Sequence, residues 1–401
     1  MSLVLNTNLS SLVAQNSLTT SGAQLSSALQ QLSSGLRINT AADDAAGYAI
    51  TQSMTSQING LNQASQNAND GVSLAQTASG ALQEVTNDLQ TMRDLAVESL
   101  NASNSSTDRA DLDAQFQQLK ADINSVATQT QFNGVNLLDG SFQGASFQVG
   151  ANAGQTITVS SISSAASSNL GSLYTAAGAG AYAAANVTAG DSGTIAVTAA
   201  NGKTYTTGTI NLTGTAATDL KTVVAAINQL STSDGGLIAT VNTTGTAVDI
   251  SSSANQAAAV TFAYTPTGTQ TEALADLGVD ASYDLTAATV TAPTSHLDTS
   301  DVTTVDNSNK VLVQIDAALQ QLATSSAQLG AYQNRFQTAI TGLTTDSTNL
   351  TSARSQIQDT DYAQATSQLS KAQILQQAST AMVAQANTIP QNILTLLQKL
   401  P

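Results

Sequence analysis

The most regular hydrophobic pattern in the chain lies near its C-terminal end. Apolar or small residues recur there at steps that alternate between three and four, which is the spacing of a coiled-coil seam. Only Lys371 and Lys399 carry a charge among the last forty residues. The pattern predicts an apolar helix that needs a packing partner, with the positions Ala372, Leu375, Ser379, Met382, Ala386, Ile389, Ile393, Leu396 and Leu400.

A second seam occupies the N-terminal end, where Arg37 is the only charged residue among the first 42. Its steps alternate between four and three, at Leu18, Gly22, Leu25, Leu29, Leu32 and Leu36. An earlier apolar set, which includes Leu9 and Leu12, is out of phase with this seam by one residue. That shift predicts a break in the helix near Asn16.

Two long helices are predicted between the seams. The first opens after Asp43 and Asp44, whose carboxylates complement the positive end of a helix dipole, and the polar stretch 101–109 ends it. Its seven-residue repeat runs through Met54, Leu61, Ala68, Ala75, Leu82, Leu89 and Ala96. A shorter helix that carries Leu112 and Phe116 should pair with it in antiparallel fashion. The second long helix repeats at Ile315, Leu322, Leu329, Phe336, Leu343, Leu350 and Ile357.

The middle of the chain has the signals of β-structure. Residues 147–159 alternate with period two around a Gly/Asn-rich link, which predicts a hairpin. Beyond it the composition shifts to Ala, Thr, Gly and Ser. The pair Asn201-Gly202 between alternating segments predicts a second hairpin, residues 218–230 predict an amphipathic helix, and residues 236–252 predict two more strands.

The predicted fold is mainly α at both ends, where long coiled-coil helices from the N- and C-termini pair, with a β-hairpin and an inserted α+β outer domain. Three domains follow from this order. Residues 1–42 and 362–401 form a terminal coiled coil, and residues 43–165 and 300–361 form a helical domain with the β-hairpin. Residues 166–299 form a surface-exposed α+β domain.

The terminal seams predict self-association. A two-helix ribbon leaves half of each helix in water, so we expect the pair to be frayed in an isolated molecule and to become ordered when several copies pack together. The alternative is that both tails fold back on the middle module, which has its own strands and no evident apolar groove. The candidate self-association residues are Leu18, Leu25, Leu29, Leu32, Leu36, Leu375, Met382, Ile389, Ile393, Leu396 and Leu400.

Composition narrows the possible partners and compartment. The net charge of −16, from 27 acidic and 11 basic residues, argues against nucleic acid and anionic membranes as partners. Without cysteine the chain has no disulfide, thiolate–zinc or iron–sulfur site. No apolar run approaches the roughly 18 residues that a membrane span needs, so no membrane insertion is expected. The N-terminal residues lack the basic region of a cleaved secretory signal, so secretion would need another route.

The sequence offers no pattern of catalytic residues. His296 is the single histidine, and HExxH, P-loop and GxSxG motifs are absent. The carboxylate pairs have structural roles available, since Asp43 and Asp44 open a helix while Asp359 and Asp361 flank a joint. We therefore expect no enzyme activity and no catalytic, cofactor-binding or metal-binding residues.

Several stretches of the chain closely resemble bacterial flagellin, and together they cover about two thirds of its length. They are LSSGLRINTAADDAAGYAI (32–50), NDGVSLAQTASGAL (69–82), TQFNGVNLL (130–138), NRF (334–336), LTSARSQIQDTDYA (350–363), and KAQILQQASTAMVAQAN with PQNILTLLQ (371–398). The resemblance implies a terminal coiled-coil domain, a helical domain and variable outer domains. It further implies type III export without a cleaved signal, and polymerisation under a cap into the extracellular filament that drives swimming.

The resemblance also implies partners. The first is the chain itself, as a helical homopolymer, and the others are an export chaperone, cap proteins and junction proteins. The resemblance extends to the residues by which the animal innate receptor recognises some flagellins. Arg93 and Leu95 of this chain match that pattern, whereas Thr91 stands where those flagellins commonly have an Arg and Gln115 stands where they have a Glu. Losing these charges removes charge-assisted hydrogen bonds, so we expect weakened activation of that receptor.

Two other functions compete with the filament subunit. A hook–filament junction protein belongs to the same superfamily and shares similar ends, although the QILQQ and PQN motifs fit flagellin better. A cell-surface adhesin that binds glycans through the middle domain is the second alternative. The sparse aromatic residues and the absence of tryptophan argue against stacked sugar platforms there.

Overall fold

The computed structural model describes residues 8–176, 182–183, 186–198, 204–231, 237–242, 245–252, 260–267, 276–277, 279–280, 282–283 and 295–398, with side chains described in the last helix up to residue 388. The chain divides into two compact units. The first unit comprises Met1–Asn69, Gln148–Thr156 and Thr338–Pro401, and the second comprises Asp70–Phe147 and Ile157–Gln337. The boundaries of the three predicted domains differ from those of the two units, and the three domains remain a prediction.

Six α-helices carry most of the described structure, and the predicted mainly helical fold is confirmed. They are α1 (Leu9–Ser34), α2 (Ala45–Ser99), α3 (Ser106–Gln129), α4 (Ala216–Ser231), α5 (Val305–Gln358) and α6 (Tyr362–Gln398). The predicted joint near Asp359 is confirmed, because α5 ends at Gln358 and α6 begins at Tyr362. The predicted break near Asn16 is wrong, since α1 is continuous.

Local sequence explains where these helices begin and end. The Asn8 side chain accepts a hydrogen bond from the Ser11 amide and caps α1, and Gly35 ends that helix at a φ of 71°. Asp44 accepts hydrogen bonds from the amides of the first turn of α2. Ser105 and Asp108 form a capping box at the start of α3.

Parts of α2 and α5 run antiparallel within the first unit. Ser347 donates a hydrogen bond to the side chain of Asn62, and Arg354 donates one to Thr55. In the same unit Leu61, Ala64 and Leu343 form a small buried cluster, with Ala151 and Leu350 packed against it.

The second unit holds the larger helical core, formed by α2, α3 and α5. Leu82, Leu89, Phe116 and Phe336 are fully buried there. Phe336 packs over Gly71, where a Cβ atom would lie 2.5 Å from the ring, and its ring meets that of Phe147 edge to face at 5.4 Å. The glycine in mid-helix therefore makes room for an aromatic side chain from α5.

Helices α2 and α3 run antiparallel, as predicted. Arg109 at the start of α3 donates a hydrogen bond to the carbonyl of Ser99 at the end of α2. Farther along, burial raises the pKa of Asp88, and the nearby carboxylates of Asp122 and Glu84 raise it further.

Among the residues that the structure describes, twelve strands form four small sheets. The strands are β1 (Gln131–Phe132), β2 (Val135–Asn136), β3 (Ala145–Gln148), β4 (Thr156–Val159), β5 (Tyr174–Ala176), β6 (Ser192–Thr198), β7 (Thr204–Thr206), β8 (Ile210–Asn211), β9 (Leu237–Val241), β10 (Val248–Ser252), β11 (Val260–Pro266) and β12 (Ser282–Tyr283). Two sheets are the pairs β1–β2 and β3–β4, and the others have the orders β5-β10-β9 and β12-β11-β6-β7 with β8 beside β6. The predicted hairpins around 147–159 and 198–204 are confirmed by the pairing of their flanking strands, although Asn201 and Gly202 lie outside the described residues.

The inserted α+β module has a core of its own within the second unit. Helix α4 packs on β9, and the buried cluster includes Ile195, Leu220 and Phe262. The Asp219 carboxylate in α4 is fully buried, and it accepts hydrogen bonds from the Tyr182 hydroxyl and from the Thr213 amide and hydroxyl. These donors satisfy a charge that burial would otherwise penalise.

Candidate self-association surface

Helices α1 and α6 lie side by side, as the sequence predicts, and they run antiparallel. We call them the terminal helix pair. At one end the Asn8 side-chain amide donates to the Ala386 carbonyl at 2.8 Å, and the Ser11 hydroxyl donates to the Asn387 side chain at 2.8 Å. These bonds join the first turn of α1 to a late turn of α6. They fix how far one helix lies along the other.

The opposite end of the terminal helix pair is fixed by backbone hydrogen bonds. The Thr360 amide donates to the Gly35 carbonyl at 2.9 Å, and the Arg37 amide donates to the Gln358 carbonyl at 2.7 Å. Next to this joint, the amides of Asn39 and Thr40 both donate to the Asp43 carboxylate. The backbone hydrogen bonds from Thr40 and Asn39 lower the pKa of Asp43, so the turn keeps its charge in mild acid.

Small residues form the interface within the terminal helix pair. Among the described side chains, Ser11, Ala14, Ser21 and Ala28 are the buried residues of α1. The buried residues among the described side chains of α6 are Ala365, Ala372 and Ala386. Three members of each set are spaced in multiples of seven residues, which keeps them on one face of a helix. Small side chains allow close approach of the helices but remove little hydrocarbon from water.

Large apolar side chains of the terminal helix pair are exposed instead. Leu9 is 71% exposed, Ile374 is 65% exposed and Met382 is 63% exposed. Val13 and Leu29 are each at least half exposed. An exposed apolar surface of this kind, on a pair that buries mainly alanine and serine, is typical of an interaction site.

The structure divides the predicted seam residues into two groups. Leu18, Leu25, Leu32 and Leu36 are half-buried, whereas Leu29, Leu375 and Met382 are exposed. The side chains of Ile389, Ile393 and Leu396, and the whole of Leu400, lie outside the described residues. In α1 the seam prediction followed the leucines and missed that smaller residues, such as Ala28 beside Leu29, form the inner line. In α6 the predicted seam included Ala372 and Ala386, and both are buried.

Two grooves follow the same face of the terminal helix pair. One, of about 450 Å³, is mostly apolar and is lined by Leu9, Val13, Ala378 and Met382 among others. The second, of about 350 Å³, is polar. Its lining residues are one or two heptads away from those of the first, namely Gln24, Ser27, Ala28, Gln368, Lys371 and Ala372.

The predicted receptor-contact residues lie in the second unit. Thr91 and Gln115 are exposed, and Leu95 is half-buried. The Arg93 guanidinium forms an ion pair with Asp316 at 2.9 Å, and both side chains remain about half exposed. Any partner that binds Arg93 would compete with this carboxylate from α5.

Comparison with protein families gives matches at both ends of the chain. Residues 5–143 match the bacterial flagellin N-terminal helical region, and residues 312–397 match the bacterial flagellin C-terminal helical region. Flagellin B of Vibrio anguillarum is 37% identical over 404 residues, with 99% of this chain and all of the relative covered. Flagellin of Salmonella typhimurium is also 37% identical, over 502 residues with the same coverage of both chains.

Solved structures give more distant matches. FliC from Burkholderia pseudomallei is 24% identical with a TM-score of 0.38, over 66% of this chain and 99% of that one. The flagellar junction protein FlgL from Legionella pneumophila is 15% identical with a TM-score of 0.36, over 78% of this chain and all of that one. The sequence matches, which extend over the full length of the relatives, are the closer relationship.

Proposed function

This chain belongs to the bacterial flagellin family, and from this premise we propose that its terminal helix pair drives polymerisation. The protein is a structural subunit of the flagellar filament, and its place is the extracellular flagellum. The match to flagellins over the full length supports this role over that of a junction protein. Among the residues that the structure describes, no helix has the length and apolar character to cross a membrane.

One observation carries the proposed role of the terminal helix pair. Its inner line consists of alanine and serine, while Leu9, Ile374 and Met382 are mostly in water. An isolated subunit therefore gains little from pairing α1 with α6, and exposing these side chains is costly. A second copy that covers them contributes about 1.5–3 kcal/mol for each large side chain that becomes fully buried.

Assembly through this surface couples folding to association. Ordering the backbone of the two helices costs about 1–2 kcal/mol per residue in conformational entropy. The small-residue interface offsets only part of this cost, and contacts between copies offset the rest. We propose that the contacts between copies are head-to-tail, as the helical filament of the flagellin family requires. Such contacts do not close on themselves and so generate filaments.

Seeded elongation tests this proposal. Purified subunits are added to filament fragments, and growth is followed by electron microscopy. We expect full-length protein to elongate the seeds and a chain truncated after Tyr362 not to do so. A finer comparison uses the double variant Ile374→Ser/Met382→Ser, which should elongate poorly, and Gln373→Ser/Ala381→Ser, which changes the neighbouring exposed residues and should elongate normally. Equal elongation by both double variants contradicts the proposal.

The family membership also motivates proposals about export and partners. We propose that the subunit leaves the cell through the flagellar export channel without a cleaved signal, accompanied by an export chaperone. It then meets cap proteins at the growing end and junction proteins at the base. We also propose that it works without catalysis, as the structural character of the family supports.

We also propose that the animal innate receptor recognises this protein weakly. Thr91 and Gln115 occupy exposed positions without charge, and Arg93 is already paired with Asp316. A cell-reporter assay should therefore show lower potency than a strong flagellin agonist. The double variant Thr91→Arg/Gln115→Glu should raise the potency, and wild-type potency equal to that of the strong agonist contradicts this proposal.

A further inference from the structure

The interface of the terminal helix pair repeats along its own axis. Its inner line carries small residues at intervals of seven, among them Ala14, Ser21 and Ala28 in α1 and Ala365 and Ala372 in α6. A shift by seven residues, about 10 Å along a helix, would place small residues against small residues again. Packing alone therefore specifies the axial position of such helices weakly.

Within one chain, polar bonds at both ends remove this ambiguity. The Asn8 and Ser11 side chains donate hydrogen bonds to α6 at one end, and the Gly35 carbonyl accepts a hydrogen bond from the Thr360 amide at the other. The exposed apolar residues Leu9, Ile374 and Met382 carry no group that could form such hydrogen bonds to a second copy. A single polar or charged side chain in an apolar seam is a known way to specify register.

Lys371 is the only charged residue in either helix of the terminal helix pair, since Leu9–Ser34 contains none and Tyr362–Gln398 contains no other. Its side chain is exposed. It lines the polar groove of about 350 Å³ together with Gln24, Ser27 and Gln368. The ammonium thus lies beside amides and a hydroxyl that are able to bind a carboxylate along with it.

We propose that Lys371 pairs with a carboxylate of a second copy of this chain and thereby sets the axial register between subunits. This inference rests on the proposed function. The chain carries 27 acidic residues against 11 basic ones, so a carboxylate is the counter-charge that a neighbouring copy most readily supplies. The acidic residue nearest to Lys371 in sequence is Asp361, which lies just before α6. It precedes Lys371 by ten residues, or about 15 Å along a helix, which is too far for an ion pair.

Zero-length cross-linking tests the pairing directly. Filaments are grown from an equal mixture of unlabelled and ¹⁵N-labelled full-length protein and treated with a water-soluble carbodiimide, which joins an ammonium to a touching carboxylate. We expect mass spectrometry to find a peptide that links Lys371 to an Asp or Glu residue with mixed isotope labels, in filaments and not in dilute subunits. Filaments that form but give no interchain link at Lys371 overturn this inference and leave the proposed function intact. Failure of the wild-type chain to polymerise overturns both.

Variants supply a second readout. Lys371→Gln should raise the critical concentration for elongation by about three- to tenfold and should flatten its dependence on salt. Lys371→Arg should restore both, because it keeps the charge. Lys221→Gln removes the same charge from the exposed face of α4 and should behave as wild type. Lys371→Gln with a wild-type critical concentration and salt dependence contradicts the inference.

Discussion

Two helix pairs with the same seven-residue repeat behave in opposite ways in this molecule. In the second unit, α2 and α5 direct large side chains inward, so that Leu89, Leu322 and Phe336 are almost wholly buried. In the terminal helix pair, Ala28 and Ala372 take the inward positions, and the large side chains are half-buried or exposed. The comparison teaches that periodicity predicts a helix, whereas the size of the inward residue decides whether the helix pair is stable alone.

The difference is one of buried hydrocarbon. A fully buried Leu or Phe contributes about 1.5–3 kcal/mol relative to an exposed one, and the second unit has many such residues. The terminal helix pair has none among its described side chains. We therefore expect α2 and α5 to be stable in a single subunit and the terminal helix pair to depend on neighbouring copies.

The largest expected effect comes from Phe336→Ala. Removing a ring that packs over Gly71 and against Phe147 leaves a cavity, so the free energy of unfolding should fall by about 3–5 kcal/mol. Urea denaturation of the subunit, followed by circular dichroism, measures this loss. The matched variant Leu29→Ala, at a residue that is 50% exposed, should change subunit stability by less than about 0.5 kcal/mol. Similar losses in the free energy of unfolding from both variants would contradict the proposed difference between the two helix pairs.

Asp219→Asn should destabilise the inserted module by about 1.5–3 kcal/mol, because the charged acceptor of several hydrogen bonds is lost. Burial acts to raise the pKa of Asp219, but the hydrogen bonds from Tyr182 and Thr213 outweigh it and lower the pKa. Since the folded-state pKa is depressed, this stabilisation is present above about pH 4, near the unfolded-state value. It is lost as the pH falls through the folded-state pKa.

Thermal unfolding between pH 3 and pH 7 checks this prediction. The variant should lose part of the acid sensitivity of the wild type, and Asp111→Asn, at an exposed position in α3, is the control. An unchanged pH profile for Asp219→Asn would show that its buried charge contributes no stability.

Ala28→Leu tests the small-residue interface of the terminal helix pair. Ala28 is 3% exposed, and three extra carbon atoms there should cost about 1–3 kcal/mol through overpacking. The critical concentration for elongation should rise at least about fivefold. The same substitution at the exposed Ala23 should have a much smaller effect. Normal elongation by Ala28→Leu would mean that the two helices do not pack closely in the polymer.

The smallest of these effects is expected for Asn8→Ala. The variant loses the α1 cap and the bond to Ala386, which should cost about 1 kcal/mol and raise the critical concentration by about fivefold. Asn16→Ala, at an exposed position within α1, serves as the control. Indistinguishable elongation by the two variants would mean that the hydrogen bonds of Asn8 do not stabilise this end of the terminal helix pair in the polymer.

Much of the fold could be predicted from the sequence because its repeats are long. One heptad position is apolar seven times in succession, from Ile315 to Ile357, and this repeat predicts α5. The orientation of α1 was harder, because its leucines and its alanines form adjacent lines with the same period. A rule that places large residues inward selected Leu29 over Ala28. The signal that could have corrected it is the parallel repeat of small residues at 14, 21 and 28, which only a close partner helix exploits.

The exposed apolar residues of the terminal helix pair overlap with the predicted seam only in part. Met382 and Leu375 were singled out and are exposed, but Leu9, Val13 and Ile374 lie outside the predicted seam phase and contribute more exposed apolar surface. Sequence periodicity does not show which residues of an amphipathic helix stay uncovered after its first partner has bound.

Amide hydrogen exchange tests the central claim most directly, because it compares both helix pairs in one experiment. In dilute, monodisperse subunits we predict rapid exchange throughout Leu9–Ser34 and residues 362–388, and strong protection of residues 75–96 in α2. In filaments both regions should be protected. Equal protection of the terminal helix pair and of α2 in the isolated subunit would contradict the account, because the terminal helices would then be stable without other copies.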